Sequence, residues 1–186
     1  MIKKILITTM IVSSLVLGYF FGELKRAEIS KKPLNANEVQ LTNNPVEYEF
    51  QTLNSKKTAL PLQNNLINVI NFWATWCPPC KKEIPVFNEK FQLEFSKGIG
   101  VIGVAMDEKE QILDFLARQS IDYPIFFGQE RVSELMDYYG NSFGVLPFTV
   151  ITDENGKYLT SVVGEVSDRR LSEVIADARI LIEKKR

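Results

Sequence analysis

An α/β fold is predicted for this chain, and three features predict it. Residues 66–73 and 99–106 are continuous apolar runs dominated by β-branched side chains, the pattern of strands covered on both faces. Each run gives way to a segment whose apolar residues recur at three and four, the helical period. A hairpin signal followed by an amphipathic segment closes the sequence. With 186 residues, 45 % of them hydrophobic, the chain is long enough for one core of ordinary size and a tether.

The tether is read at the N-terminus. Lys3 and Lys4 precede an apolar stretch, 5–21, interrupted only by Thr8, Thr9, Ser13, Ser14 and Gly18. As a helix it reaches about 25 Å, the short limit for a membrane span of about 17 to 25 residues. A cleaved signal peptide carries small residues before the cut, whereas Leu17, Tyr19, Phe20 and Phe21 are bulky. An uncleaved transmembrane anchor over 1–22 is therefore expected, with no cysteine at its end for a lipid attachment. Lys25 and Arg26 beyond the stretch nearly balance Lys3 and Lys4 in the positive-inside count. Residues 23–46 are polar, with Lys31, Lys32, Pro33, Asn35, Asn37, Asn43 and Asn44 and no sustained period. They read as a linker that raises the domain's effective concentration toward partners in the same membrane. A short extra strand at 39–41 is the other reading of part of it. The folded domain is expected over 47–186.

Within the domain, 47–53 and 57–62 form an opening hairpin across Asn54, Ser55 and Lys56. The strand 66–73 then leads into a helix that repeats apolar side chains at Ile84, Phe87, Phe91 and Phe95. After the strand 99–106, Asp107 with Glu110 has the spacing of a capping box for a helix burying Ile112, Phe115 and Leu116. A strand at 123–127 follows, then a helix with apolar positions Val132, Leu135, Met136 and Tyr139. Strands 148–152 and 158–163 flank residues 153–157, where Asn155-Gly156 is a hairpin turn signal. Leu171, Val174, Ile175 and Ala178 supply the apolar face of the closing helix.

The chemistry rests on the chain's two cysteines, Cys77 and Cys80, at the junction of a strand and a helix. The first lies on the loop and the second in the first helical turn, where unpaired N–H groups and the positive end of the helix dipole favour a thiolate. A disulfide closing so short a loop removes little chain entropy. Its value lies in being opened. A structural zinc needs about four Cys or His ligands, and the chain offers two cysteines and no histidine. Hydrolysis through Ser-His-Asp or Cys-His is excluded on the same count. Formal charge is −1, and without the first 22 residues it is −3, 20 basic residues against 23 acidic. That balance excludes the basic surface nucleic acid demands.

The segment Asn71-Phe72-Trp73-Ala74-Thr75-Trp76-Cys77-Pro78-Pro79-Cys80-Lys81-Lys82-Glu83-Ile84-Pro85 resembles the active-site segment of the TlpA/ResA/CcmG (DsbE) group, the membrane-tethered thiol-disulfide oxidoreductases of bacteria. The resemblance runs from about Phe50 to the C-terminus. It implies a thioredoxin-like fold, a mixed central sheet flanked by helices, with the strand at 123–127 and the helix after it as an inserted unit. Gly144-Val145-Leu146-Pro147-Phe148-Thr149 resembles the family loop in which a cis proline faces the cysteines, which makes Pro147 that residue. The resemblance places Trp76, Pro78, Leu146 and Pro147 on the substrate face, with ordinary packing as the alternative for Trp76. It implies that Glu83 tunes the protonation of the cysteines, the alternative being a solvated helix residue paired with a lysine. Thioredoxin has a buried aspartate where this chain has Asn71, so a different proton carrier is needed here. Two departures stand out: Pro45-Val46-Glu47-Tyr48-Glu49-Phe50 lacks the expected Ala-Pro-x-Phe motif, and Gln63-Asn64-Asn65 replaces a Gly-Lys turn.

The implied activity is a dithiol/disulfide cycle without cofactor, Cys77 attacking and Cys80 resolving, on the extracytoplasmic (periplasmic) side of the cytoplasmic membrane. Pro78 and Pro79 have no N–H to offer the Cys77 sulfur, and no histidine stands between the cysteines as in DsbA-type oxidants. A less stabilised thiolate is a better reductant, so a protein-disulfide reductase is expected. The resemblance implies a DsbD- or CcdA-type membrane electron donor, with apocytochrome c or copper-site assembly proteins as acceptors. A monomer is expected. A general disulfide oxidase or isomerase, and a tethered binding module without turnover, are the rival functions.

Overall fold

The structure is a computed structural model that describes residues 48–184. The anchor expected at 1–22, the linker at 23–46 and the strand considered at 39–41 lie outside these residues. Among the described residues, no helix is long and apolar enough to cross a membrane.

Seven strands form one mixed sheet: β1 (Glu49–Thr52), β2 (Lys57–Ala59), β3 (Ile67–Trp73), β4 (Ile99–Ala105), β5 (Ile125–Phe127), β6 (Phe148–Asp153) and β7 (Tyr158–Val163), in the order β2-β1-β5-β4-β3-β6-β7. β3, β4 and β5 run parallel, and the remaining pairings are antiparallel. Both predicted apolar runs form central strands, buried throughout from Ile67 to Trp73 and from Ile99 to Ala105, while Leu66 before the first is 47 % exposed and Met106 after the second is half-buried.

Among the described residues, four helices cover the sheet: α1 (Pro78–Glu94), α2 (Lys109–Leu116), α3 (Gln129–Tyr138) and α4 (Asp168–Glu183). Alternation along β3 and β4 sorts their side chains between two faces. On one, Ile70, Phe72, Ile102 and Val104 pack with Val132, Leu135 and Met136 of α3. On the other, Val69 and Val101 pack with Phe87 of α1 and with Leu171 and Val174 of α4. Nearer the cysteines, Trp73 and Ala105 meet Ile112 and Phe115 of α2. This is the expected mixed sheet flanked by helices, with β5 and α3 as the inserted unit.

Several element ends differ from expectation. The strand predicted at 57–62 stops at Ala59, because Leu62–Asn64 turns into a 3-10 helix. The strand predicted at 123–127 begins at Ile125, since the preceding proline brings no N–H, although the Pro124 carbonyl accepts from Gly103 N at 2.9 Å. At the Asn155-Gly156 hairpin only Gly156 has positive φ, +74°, and the Asp153 carboxylate accepts from the N–H groups of Asn155 and Lys157 at 2.9 Å. The turn therefore spans more than the two-residue loop that Asn-Gly favours. Inside α1, Pro85 has no N–H for the Lys81 carbonyl, and Gln119 Nε2 donates to that oxygen instead, at 3.2 Å.

One close approach governs the centre. A Cβ on Gly103 would lie 2.8 Å from Tyr123 Cε2 and 3.2 Å from Trp73 Nε1, both rings being buried. Gly103→Ala is expected to lower stability by about 1–3 kcal/mol by forcing these rings apart. Chemical denaturation checks it, and a variant as stable as the parent contradicts the packing.

Candidate active site

β3 delivers the chain from the covered centre of the sheet to its edge, and there α1 begins on a sulfur. Cys77 is the N-cap residue of α1, extended at φ −94° and ψ 104°, and its Sγ accepts from Cys80 N at 3.3 Å. Pro78 and Pro79 fill the first two helical positions, where a missing N–H is tolerated. Cys80 thus carries the first backbone donor after Cys77. The two sulfurs are joined in a disulfide, with Cα atoms 5.3 Å apart. Both are largely covered: Cys77 is 3 % exposed and Cys80 0 %.

The loop before Cys77 is held from beneath. Cys77 N donates to Ala74 O at 3.1 Å, and Thr75 N donates to Asp107 Oδ2 at 2.6 Å. Trp76, between them, is 59 % exposed. Asp107 corrects the sequence reading. It does not cap α2: Glu108 does, its side chain accepting from Gln111 N–H while Glu108 N donates to Gln111 Oε1 at 3.0 Å. Asp107 is buried instead. Burial makes it a weaker acid than an ordinary carboxyl, and the Thr75 N–H, the Thr75 hydroxyl and the Trp76 side chain oppose that shift. Asp107 with Glu110 and Glu108 with Gln111 both have the capping spacing, so spacing alone selected the wrong register.

A second loop approaches from β6. The Leu146–Pro147 peptide bond is cis, and Leu146 packs against the cluster that holds Cys77 and Cys80. Asn141, buried, pins this loop: its Nδ2 donates to Val145 O at 2.8 Å and its Oδ1 accepts from Val145 N at 3.1 Å. Gly144 has φ +64°, a conformation that favours glycine. The pinned loop holds Val145 half out of the protein and Phe143 almost wholly exposed. Nothing in the apolar pattern marked Asn141, because its role depends on two bonds to a residue four positions on.

Glu83, one turn beyond Cys80, is 1 % exposed rather than solvated. Its Oε1 accepts from Asn71 Nδ2 at 2.7 Å and its Oε2 from Val166 N at 3.0 Å. Burial raises its pKa from 4.5 to about 7; the Val166 and Asn71 bonds oppose that rise, and the nearby Glu165 charge adds to it. The carboxyl therefore titrates near neutrality behind the cysteine pair, with both oxygens bonded away from the sulfurs. Lys81 and Lys82 make no ion pair among the described residues. No cluster of three or more His, Cys, Asp or Glu side chains among the described residues is placed to hold a metal ion.

Comparison with known proteins agrees with this geometry. The AhpC/TSA family model matches residues 41–159. The thiol-disulfide oxidoreductase ResA of Bacillus cereus is 28 % identical over 153 residues, 82 % of this chain and 79 % of the relative. The thioredoxin-like protein YneN of Bacillus subtilis is 28 % identical over 177 residues, 93 % of this chain and 97 % of its own length. Among solved structures, a thioredoxin-related protein from Neisseria meningitidis serogroup B is 32 % identical and superposes with a TM-score of 0.59, covering 67 % of this chain and 94 % of that one.

The raised pKa of Glu83 has a thermodynamic signature. A carboxyl whose folded pKa exceeds its unfolded value stabilises the fold fully below about 4.5, and this contribution is lost as pH rises through about 7. The loss is on the order of 3 kcal/mol. Glu83→Gln, which stays neutral, is expected to gain stability relative to the parent across that window in chemical denaturation. Parallel profiles for the two proteins would show that Glu83 is not buried as the free acid.

Proposed function

Because this chain belongs to the AhpC/TSA family of thioredoxin-like proteins and is a thiol-disulfide oxidoreductase, we propose that it works as a protein-disulfide reductase on the extracytoplasmic face of the cytoplasmic membrane. One observation carries the direction. The Cys77 sulfur takes a single backbone N–H, from Cys80, since Pro78 and Pro79 have none to give. A thiolate with few donors is poorly stabilised and passes its electrons on readily.

In the reduced protein the Cys77 thiolate attacks one sulfur of a partner's disulfide, forming a mixed disulfide and releasing the partner's other sulfur as a thiolate that takes a proton. The Cys80 thiolate then attacks Cys77 Sγ. This expels the partner's second thiolate, which is protonated in turn, and closes the Cys77–Cys80 disulfide. Two electrons and two protons pass to the partner in each turn. Glu83, titrating near neutrality, is placed to carry a proton as Cys80 changes state. A membrane dithiol donor of the DsbD or CcdA type restores the pair.

Exposed Trp76 and Pro78 on either side of Cys77, and exposed Val145 with half-buried Leu146 from the second loop, supply an apolar surface suited to an extended polypeptide, with Pro147 buried behind them. Apocytochrome c and copper-site assembly proteins are the proposed acceptors. Residues 1–22 serve as the anchor and 23–46 as the linker that lets the monomeric domain of 47–186 reach them.

The Cys80→Ser protein tests the cycle. It is expected to accumulate covalent adducts with partner proteins through Cys77, visible on non-reducing gels, released by dithiothreitol and absent when Cys77 is also replaced by serine. A Cys80→Ser protein that forms no adduct would be a binder without turnover.

A further inference from the structure

Four buried side-chain polar atoms among the described residues have no hydrogen-bond partner: Asn71 Oδ1, Trp73 Nε1, Tyr123 OH and Thr149 Oγ1. Their residues are at most 3 % exposed. Native proteins rarely leave such atoms unpaired, and buried water is the usual partner. These four are not scattered. Asn71 on β3 pairs laterally with Gly103 on β4 and with Thr149 on β6, so the three form a row across the centre of the sheet. Cross-strand partners share a face, and Trp73, two residues beyond Asn71, lies on that face too.

Tyr123 and Trp73 converge on the same row. Both rings abut the one position in it that lacks a side chain, Gly103. The Tyr123 ring also meets Phe87 edge-on, with centroids 6.2 Å apart, and Phe87 lies one turn after Glu83 on α1. The segment that carries Tyr123 is stitched to α1: Asn88 Nδ2 donates to Ser120 O at 3.2 Å, Asp122 N donates to Asn88 Oδ1 at 2.9 Å, and Gln92 Nε2 donates to Asp122 Oδ2 at 2.8 Å. Asn71 joins the row to Glu83 through its Nδ2. Each Glu83 oxygen has one protein donor and so keeps a free lone pair.

We propose that Tyr123 is a positioning residue for the Glu83 proton: its hydroxyl donates, through buried water shared with Asn71 Oδ1, Thr149 Oγ1 and Trp73 Nε1, to the Glu83 carboxylate. The functional weight of this seam rests on the reading of Glu83 as proton carrier. Titratable groups around Glu83 are Glu165 from the segment between β7 and α4, Tyr123 from the segment before β5, and the cysteine pair on its own helix, while Asp122 acts on Tyr123 and bonds to Gln92. Of these, Tyr123 offers an oxygen donor whatever the redox state of the cysteines, its hydroxyl made less acidic by burial first and then by the nearby carboxylates.

Tyr123→Phe removes one oxygen and leaves the ring packing in place. Infrared titration follows the protonated Glu83 carbonyl band, identified by its loss in Glu83→Gln. Removing a donor to the carboxylate is expected to lower the ionisation constant of Glu83 about threefold or more, moving the midpoint upward. Tyr123→Phe is also expected to denature more easily than the parent, because a bonded phenol is lost. An unmoved midpoint overturns the proposal. So does a more stable variant, since removing a truly unpaired hydroxyl stabilises. The rate of disulfide reduction against pH, measured on the same proteins, separates the two readings. A midpoint that moves while the rate profile stays fixed supports the seam and overturns the role of Glu83 as proton carrier.

Discussion

Helix α1 starts on a sulfur atom, and the rest of the site is arranged around that constraint. A helix N-terminus presents four backbone positions without intrahelical partners and a partial positive charge. Here two of those positions are prolines, so the dipole remains but half of the directed donors do not. Cys77 Sγ is left with the Cys80 N–H. The neighbours are then placed by separate elements: β3 leads the chain to the sulfur, Asp107 in the turn after β4 grips the loop before Cys77, and Leu146 from the loop before β6 packs against the cysteines.

Two buried carboxyls stand behind this pair, and their surroundings divide their roles. Both are made less acidic by burial. Asp107 receives the Thr75 amide at the short distance of 2.6 Å and acts as a clamp on the loop that displays Trp76. Glu83 receives one donor on each oxygen and sits beside a row of polar atoms in the sheet, where water can join a network. One holds a shape, and the other is suited to gain and lose a proton. An interior row containing asparagine, threonine and glycine weakens the packing of three central strands, which is intelligible if the row serves the chemistry next to it.

Much of this could be read from the residues alone, because the strongest signals were local. The covered strands, the helical faces of α3 and α4 and the placement of Cys77 at the strand-helix junction all follow from period and composition and recur in the structure, while the α1 face holds at Ile84 and Phe87 but not at Phe95, which lies past the helix end and is exposed. What escaped depended on the third dimension. Asp107 and Glu108 both fit a cap, and only the approach of Thr75 from the turn after β3 decides between them. The helical pattern put Glu83 on the face of Cys80, yet its burial depends on Asn71, twelve residues earlier, and Val166, 83 residues later. Tyr123 looked like the first residue of a strand. Its partners Gly103 and Phe87 lie on other elements, and no spacing within its own segment announces them.

The central claim is that the Cys77 thiolate, deprived of two amide donors by consecutive prolines, is held weakly enough to make the pair a reductant. Since about 30 mV corresponds to about 1.4 kcal/mol for a two-electron couple, the loss of even one hydrogen bond is visible in the reduction potential. Equilibration of the purified domain with dithiothreitol redox buffers measures it directly. The account predicts a value nearer that of thioredoxin, about −270 mV, than that of DsbA, about −120 mV. A potential close to the DsbA value would mean that the thiolate is well stabilised after all, and would contradict it.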